Sequence, residues 1–126
     1  MNTETLDATL SILAPTIVER IQAAEPLEIR NHNTEINGSP LYSAKDPKRQ
    51  AQAWARKWPT HGWAYVVPGL GLGHHIQALL DRIEPDASVV VIERDFRLIR
   101  AAFSRYDWTE HMKSGRFLIL DRKSVV

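Results

Sequence analysis

One stretch, Trp63–Leu80, constrains the fold of this chain more than any other. An apolar run, Trp63–Val67, is followed by glycines at two-residue spacing, and a helical pattern then opens at His74. Glycine permits positive φ and close backbone approach where a Cβ would clash. The helix that follows presents free N–H groups and its positive dipole end, which favour an anion. The stretch therefore predicts the first βα unit of a nucleotide-binding α/β sheet.

The chain after this unit repeats the alternation of strand and helix. We predict strands at Ala64–Val67, Val89–Ile92 and Phe117–Leu120, and helices at His74–Ile83 and from about Phe96 to Tyr106. Each strand is continuously apolar, which is typical of a parallel sheet covered on both faces. Right-handed crossovers give the strand order 3-2-1. The predicted fold class is α/β, a Rossmann-like three-layer half-domain with a short parallel sheet.

An N-terminal helix and a small β-hairpin or meander are predicted ahead of this sheet. Apolar residues recur every three or four positions from Leu6 to Ile21, which is typical of an amphipathic helix. Pro15 lies inside the pattern and predicts a kink or two short helices. Asn37-Gly38 is a turn signal between two short strand patterns. We expect the helical segment to pack on its own domain.

A further helix is predicted from Asp46-Pro47, where Asp is a favoured cap and Pro a favoured first helical residue. Trp54 and Trp58 share one stripe of this helix and are expected to pack against the sheet. We divide the chain into two segments, residues 1–45 with the helical segment and hairpin and residues 46–126 with the Rossmann-like βαβαβ module. Together they are expected to form one compact domain.

Composition argues against several classes of partner. Sixteen Lys and Arg residues balance fifteen Asp and Glu residues, a net charge of +1, so no strong field attracts nucleic acid or an anionic membrane. The chain has no Cys, which excludes disulfides and zinc–thiolate sites. Its first ten residues have neither the basic start nor the apolar core of a signal peptide. We therefore expect a cytoplasmic protein.

The strand at residues 64–67 is expected to have an exposed edge. In a doubly wound sheet the first strand is central, and a fourth strand pairs on its far side. The chain ends after its third predicted strand, so an apolar edge would be left open, which favours aggregation unless something covers it. This edge would be covered by the hairpin, by a second subunit or by a further region of a longer protein. We therefore expect a protein partner or self-association through this edge.

Candidate binding residues lie where the predicted strands end. Glu93 ends the second strand about twenty residues after the last glycine, where doubly wound folds place the acid that binds a ribose. Asp121 ends the third strand in the same way. The alternative role for both carboxylates is to cap the next helix or turn. The predicted cofactor-binding residues are Gly69, Gly71, Gly73, His74, Glu93 and Asp121.

The glycine spacing leaves the ligand unknown, and S-adenosylmethionine and a nucleotide sugar are the candidates. Methyltransferases usually carry an acid two residues before the first glycine, whereas this chain has Val67 there. Gly73 also arrives one residue too early for the GxGxxG pattern of dinucleotide sites. No metal is expected, because His74 and His75 are adjacent on a helix and diverge by about 100°. No Ser-His-Asp set or paired carboxylates appear, so we predict no catalytic residue.

Several short motifs follow one another in a distinctive order along the chain: Ser43, Asp46-Pro47, Ala53-Trp54, Gly69/Gly71/Gly73-His74 and Ile92-Glu93. This order resembles the N-terminal region of the motility accessory factor family, bacterial proteins implicated in flagellin glycosylation. In that family the sugar-transferring domain lies C-terminal to this region. The resemblance therefore implies a Rossmann-like N-terminal module, with flagellin as a candidate partner, and it transfers no catalytic residue to this chain.

Three functional hypotheses follow. The first is a non-catalytic module of a motility-accessory-factor-like protein that serves in recognition or assembly. The second is a methyltransferase-like or nucleotide-binding protein that uses the GxGxG loop and Glu93. The third is a pure protein-interaction module, in which the glycines only allow close packing of strand and helix.

Overall fold

The computed structural model describes residues 3–27, 29–30, 35–36, 39–40 and 47–121. The helices are α1 (Thr3–Leu10), α2 (Pro15–Ala23), α3 (Pro47–Ala55), α4 (His74–Arg82), α5 (Phe96–Arg105) and α6 (Thr109–Lys113). The strands are β1 (Ile29–Arg30), β2 (Glu35–Ile36), β3 (Ser39–Pro40), β4 (Ala64–Pro68), β5 (Ser88–Ile92) and β6 (Phe117–Leu120).

The main sheet is parallel, with the order β4-β5-β6. Its register aligns Val67 with Val91, and Val91 with Ile119. Helix α4 connects the first pair of strands and α5 the second, as in a βαβαβ unit. This arrangement confirms the predicted α/β class and the order 3-2-1, and each predicted strand boundary lies within one residue of the observed one.

Only one face of the sheet is fully covered in the part of the chain that the structure describes. Tyr65 and Val67 are buried in one core with apolar side chains of α4 and α5. On the opposite face, Val66 is 56% exposed and Ile92 is 44% exposed. When two successive βαβ crossovers have the same handedness and each adds its strand in the same direction across the sheet, their helices lie on the same face. The expectation that both faces would be covered was therefore wrong for these residues.

The N-terminal helices extend the same core. Leu6 and Leu10 of α1 and Ile21 of α2 are buried together with residues of the sheet and of α5. Pro15 is the first residue of α2 and supplies no backbone N–H, so the helical pattern divides there. This division into two short helices confirms the prediction.

A small antiparallel sheet follows these helices, in the order β1-β2-β3. Ile29 pairs with Ile36, and Ile36 with Ser39, so this segment is a three-stranded meander, one of the two forms predicted. The predicted Asn37-Gly38 turn and the Asp46 helix cap lie outside the described residues. Helix α3 begins at Pro47, and its Trp54 packs partly buried against the core, as does Trp58 in the turn that follows.

Candidate functional site

The glycine turn follows the carboxyl end of β4 and leads directly into α4. All three glycines have positive φ: +89° at Gly69, +56° at Gly71 and +92° at Gly73. The residues between them, Leu70 and Leu72, are completely buried. Glycine and leucine therefore alternate for two reasons. Each leucine anchors the turn in the core, and each glycine adopts a left-handed backbone conformation that residues with an L side chain disfavour.

The last glycine of the turn is packed against an aromatic ring. A Cβ at Gly73 would lie 2.6 Å from Cζ2 of Trp108. That indole is fully buried, stacks on Phe117 with ring centroids 4.5 Å apart, and donates its Nε1–H to the Ala102 carbonyl at 3.0 Å. At Gly69, by contrast, a Cβ would meet no atom within 4 Å among the described residues beyond its chain neighbours. Gly73 is therefore required for packing, and Gly69 borders open space.

Glu93 connects the glycine turn to the start of α5. The Leu70 N–H donates to Oε1 of Glu93 at 3.0 Å. The N–H groups of Arg94 and Asp95 donate to Oε2 at 3.1 and 3.2 Å. The carboxylate thus has the capping role that the sequence left open as an alternative. Ribose binding by Glu93 stays a prediction, and a ribose would have to share an acceptor that already serves three amides.

Two further carboxylates near this end of the sheet have partners within the chain. Asp95 caps α5 by accepting from the Arg97 N–H at 2.9 Å, and the Arg97 side chain holds the pKa of Asp95 below its usual value. Asp121 forms an ion pair with Arg20 of α2 at 3.3 Å. The Arg20 guanidinium also lies 4.1 Å from the ring centre of Phe96. Asp121 therefore ties the end of β6 to the N-terminal helices.

His74 lies apart from Glu93 and Asp121. Its buried imidazole has Nδ1 2.5 Å from the Tyr106 hydroxyl, and the two rings meet edge to face. Burial raises the pKa of Tyr106, so the phenol keeps its proton and can donate it to Nδ1. Both side chains border a polar pocket of about 230 Å³ that also includes Gln77 and Asp81.

A separate cavity of about 300 Å³ lies between the glycine turn and α3. It is lined by Gln50, Ala51 and Trp54 of α3, Pro68 of β4, Gly69 and Gly71 of the turn, and His75 of α4. Of the six predicted cofactor-binding residues, only Gly69 and Gly71 line it. The other predicted residues contact Trp108, Tyr106, backbone amides or Arg20, so the structure does not gather all six at one cavity.

His75 is held firmly at the wall of this cavity. Its Nε2 lies 3.2 Å from the Gly69 carbonyl oxygen, and its ring meets Trp54 edge to face at 5.0 Å. Because a carbonyl only accepts, this contact assigns the proton to Nε2. Burial lowers the pKa of His75, so the imidazole is neutral at pH 7. The other ring nitrogen, Nδ1, is buried and has no hydrogen-bond partner among the described residues.

Gln50, Trp54 and His75 lie beside the glycine turn, and no sequence pattern indicates this proximity. Helical periodicity predicts that the face of α3 that carries Trp54 is buried, but it does not indicate which element packs against that face. Among the described residues there is no group of three or more His, Asp or Glu side chains placed to hold a metal ion. No helix of that part of the chain combines the length and apolar character needed to cross a bilayer.

Comparison with known proteins identifies the fold. No family model and no curated protein matches the sequence. The structure of MAf glycosyltransferase from Magnetospirillum magneticum AMB-1 is similar, with a TM-score of 0.74 and 17% sequence identity. The alignment covers 98% of this chain and 28% of that chain, so this chain spans less than a third of the glycosyltransferase.

The structure of EvdMO1 gives a weaker match, with a TM-score of 0.44 and 24% identity over 83% of this chain and 23% of that chain. At 17% identity the first similarity establishes a shared fold. It agrees with the resemblance that the ordered sequence motifs indicate.

Proposed function

We propose that this chain is a non-catalytic, Rossmann-like module of a motility-accessory-factor-like protein linked to flagellin glycosylation, and that it serves in recognition or assembly. The ordered motifs and the shared fold with MAf glycosyltransferase support the family assignment. The uncovered face and edge of the parallel sheet carry the assignment to recognition or assembly.

This uncovered surface is apolar and lies on one side of β4. Val66 and Ile92 project from neighbouring strands and are about half exposed, and Trp63, just before β4, is 83% exposed. Among the described residues β4 pairs with β5 alone, so its other edge has backbone groups that a further strand can bind. A parallel sheet is ordinarily covered on both faces. A protein partner, flagellin among the candidates, or a second copy of the chain would cover this surface.

The contacts of the predicted site residues support a non-catalytic role. Glu93 accepts three backbone hydrogen bonds, and Asp121 pairs with Arg20. Both carboxylates therefore serve the fold. A general acid or base needs a proton acceptor or donor within reach of a substrate, and these contacts occupy the carboxylates that the sequence offered.

The assembly role is tested by sedimentation of the chain alone and with purified flagellin. We expect association that Val66→Asp weakens at least tenfold, because it places a charge on the apolar surface. The matched control is Lys113→Asp, which also introduces an acid but at an exposed position of α6. Equal association of both variants would contradict the assigned surface. Sugar transfer to flagellin by the chain alone would contradict the non-catalytic assignment.

A second candidate function is small-molecule binding at the glycine turn, with S-adenosylmethionine or a nucleotide sugar as ligand. The cavity beside Gly69 and Gly71 favours this candidate. A thermal-shift panel tests it, because a ligand at one hundred times its dissociation constant stabilises the fold by about 2.7 kcal/mol. Gly71→Val should abolish the shift because its side chain would enter the turn. No shift with any compound would count against this function.

A further inference from the structure

We infer that the cavity between α3 and the glycine turn binds a planar, uncharged heteroaromatic ring of the nucleobase class. The inference rests on the second candidate function and names the chemical group that the site would take. The cavity residues are Gln50, Ala51, Trp54, Pro68, Gly69, Gly71 and His75, and they include none of the carboxylates that the sequence singled out.

The size of the cavity limits what enters it. Small-molecule sites occupy about 300–1,000 Å³, and this cavity, at about 300 Å³, lies at the lower end of that range. It therefore has room for one ring system, and the remainder of a dinucleotide or nucleotide sugar would lie outside it. A sugar or phosphate attached to such a ring would extend out of the cavity.

The charge of the cavity wall selects against an anion. Among the described residues that line it, no side chain is Lys, Arg, Asp or Glu, and the titratable one, His75, has its pKa lowered by burial. The wall is also mainly apolar, with Trp54, Ala51 and Pro68 among its residues. A phosphate would lose its hydration here without gaining a cation. An uncharged aromatic ring would lose little hydration energy on entering the cavity, and it would gain contact with the Trp54 indole.

One backbone group of the wall gives the ring an orientation. The N–H of Gly71 makes no hydrogen bond within the described part of the chain, so it is a donor at the wall. The Gly69 carbonyl already accepts from His75, which fixes the imidazole beside Trp54. The cavity thus combines an apolar, aromatic wall with a few polar groups.

Open space over Gly69 is the structural reason that the cavity exists. A Cβ at this position would meet no atom within 4 Å, whereas the turn is tightly packed at Gly73. The cavity also adjoins the carboxyl end of β4, and open α/β sheets bind ligands at the carboxyl ends of their strands. The binding position follows from this hollow on the α3 side of the turn, and Glu93 takes no part in it.

The test measures binding of adenosine, cytidine and ribose 5-phosphate to the whole chain by calorimetry. Saturation-transfer NMR then identifies which ligand protons contact the protein. We expect the nucleosides to bind through their base protons and ribose 5-phosphate not to bind. Trp54→Ala should weaken nucleoside binding about tenfold, the size typical of lost base–aromatic contact. His61→Ala, which removes an exposed ring outside the cavity, should leave affinity unchanged.

A second variant distinguishes lost binding from lost folding, which is needed because Trp54 also packs against Trp58 and His75. Trp54→Phe keeps an aromatic ring in this packing and should weaken binding less than Trp54→Ala does. Equal effects of Trp54→Ala and His61→Ala would overturn the inference. Binding of S-adenosylmethionine or a nucleotide sugar without saturation of base protons would overturn it and leave the second candidate function intact. Absence of binding by every compound would overturn both.

Discussion

The two ends of the glycine turn are built for different purposes. At its end, Gly73 begins α4 against the fully buried Trp108, and a Cβ there would overlap the indole. At its start, Gly69 has nearly the same φ, yet a Cβ there would enter open space beside Trp54. One end closes the core, and the other borders a cavity.

The difference shows that a glycine motif is not a single functional unit. Positive φ explains why both positions favour glycine, but only Gly73 also requires glycine for its volume. The middle of the turn is held in the core like the Gly73 end, because Leu70 is buried and its N–H donates a hydrogen bond to the Glu93 carboxylate. Substitutions at the two ends should therefore affect stability to different degrees.

The largest effect is expected for Gly73→Ala. Its Cβ would lie 2.6 Å from a ring that stacking and a hydrogen bond hold in place, and its φ of +92° disfavours any L residue. Overpacking and left-handed strain together should reduce the free energy of unfolding by about 3 kcal/mol. The matched variant, Gly69→Ala, bears the strain alone and should lose about 1 kcal/mol. Urea unfolding measures both, and equal losses would contradict the distinction between the two ends.

The next largest effect is expected for Glu93→Ala. This variant leaves the N–H groups of Leu70, Arg94 and Asp95 without their acceptor, and should lower the free energy of unfolding by about 2 kcal/mol. Glu84→Ala is the control, since its carboxylate forms only an exposed contact with His61 and should change stability by less than about 0.5 kcal/mol. A neutral effect of Glu93→Ala in urea unfolding would show that the carboxylate does not fix the turn.

Much of the fold could be predicted because local patterns determine it. Apolar runs identified the three parallel strands, and Pro15 predicted the division of the first helix. Coverage of the sheet could not be predicted in the same way. Val66 and Val67 are identical residues in one apolar run, yet one is 56% and the other 2% exposed. Which face the helices cover depends on the direction of the crossovers and on elements beyond the strand.

The candidate site was less predictable, because its residues come from elements far apart in sequence. The glycine spacing located the turn, but Trp54 and Gln50 reach it only through the packing of α3 on α4. The hydrogen bond from Leu70 to Glu93 spans 23 residues, and the sequence left the carboxylate equally open to capping and binding. Packing partners and hydrogen-bond acceptors are set by the tertiary structure, so the linear pattern could not assign them.

The smallest effect, a dependence of stability on pH, tests the open end of the turn. Burial lowers the pKa of His75 below its ordinary 6.5, so the unfolded chain binds a proton more readily than the folded chain. The contribution of His75 to stability is therefore complete above about pH 6.5 and is lost as the pH drops from there through the folded-state pKa. His75→Gln should reduce the loss of unfolding free energy between pH 8 and pH 5, measured by urea unfolding at each pH. Burial and Arg116 also lower the pKa of His111, so His111→Gln serves as a separate comparison. An unchanged loss in His75→Gln would contradict a neutral, buried imidazole at the cavity wall.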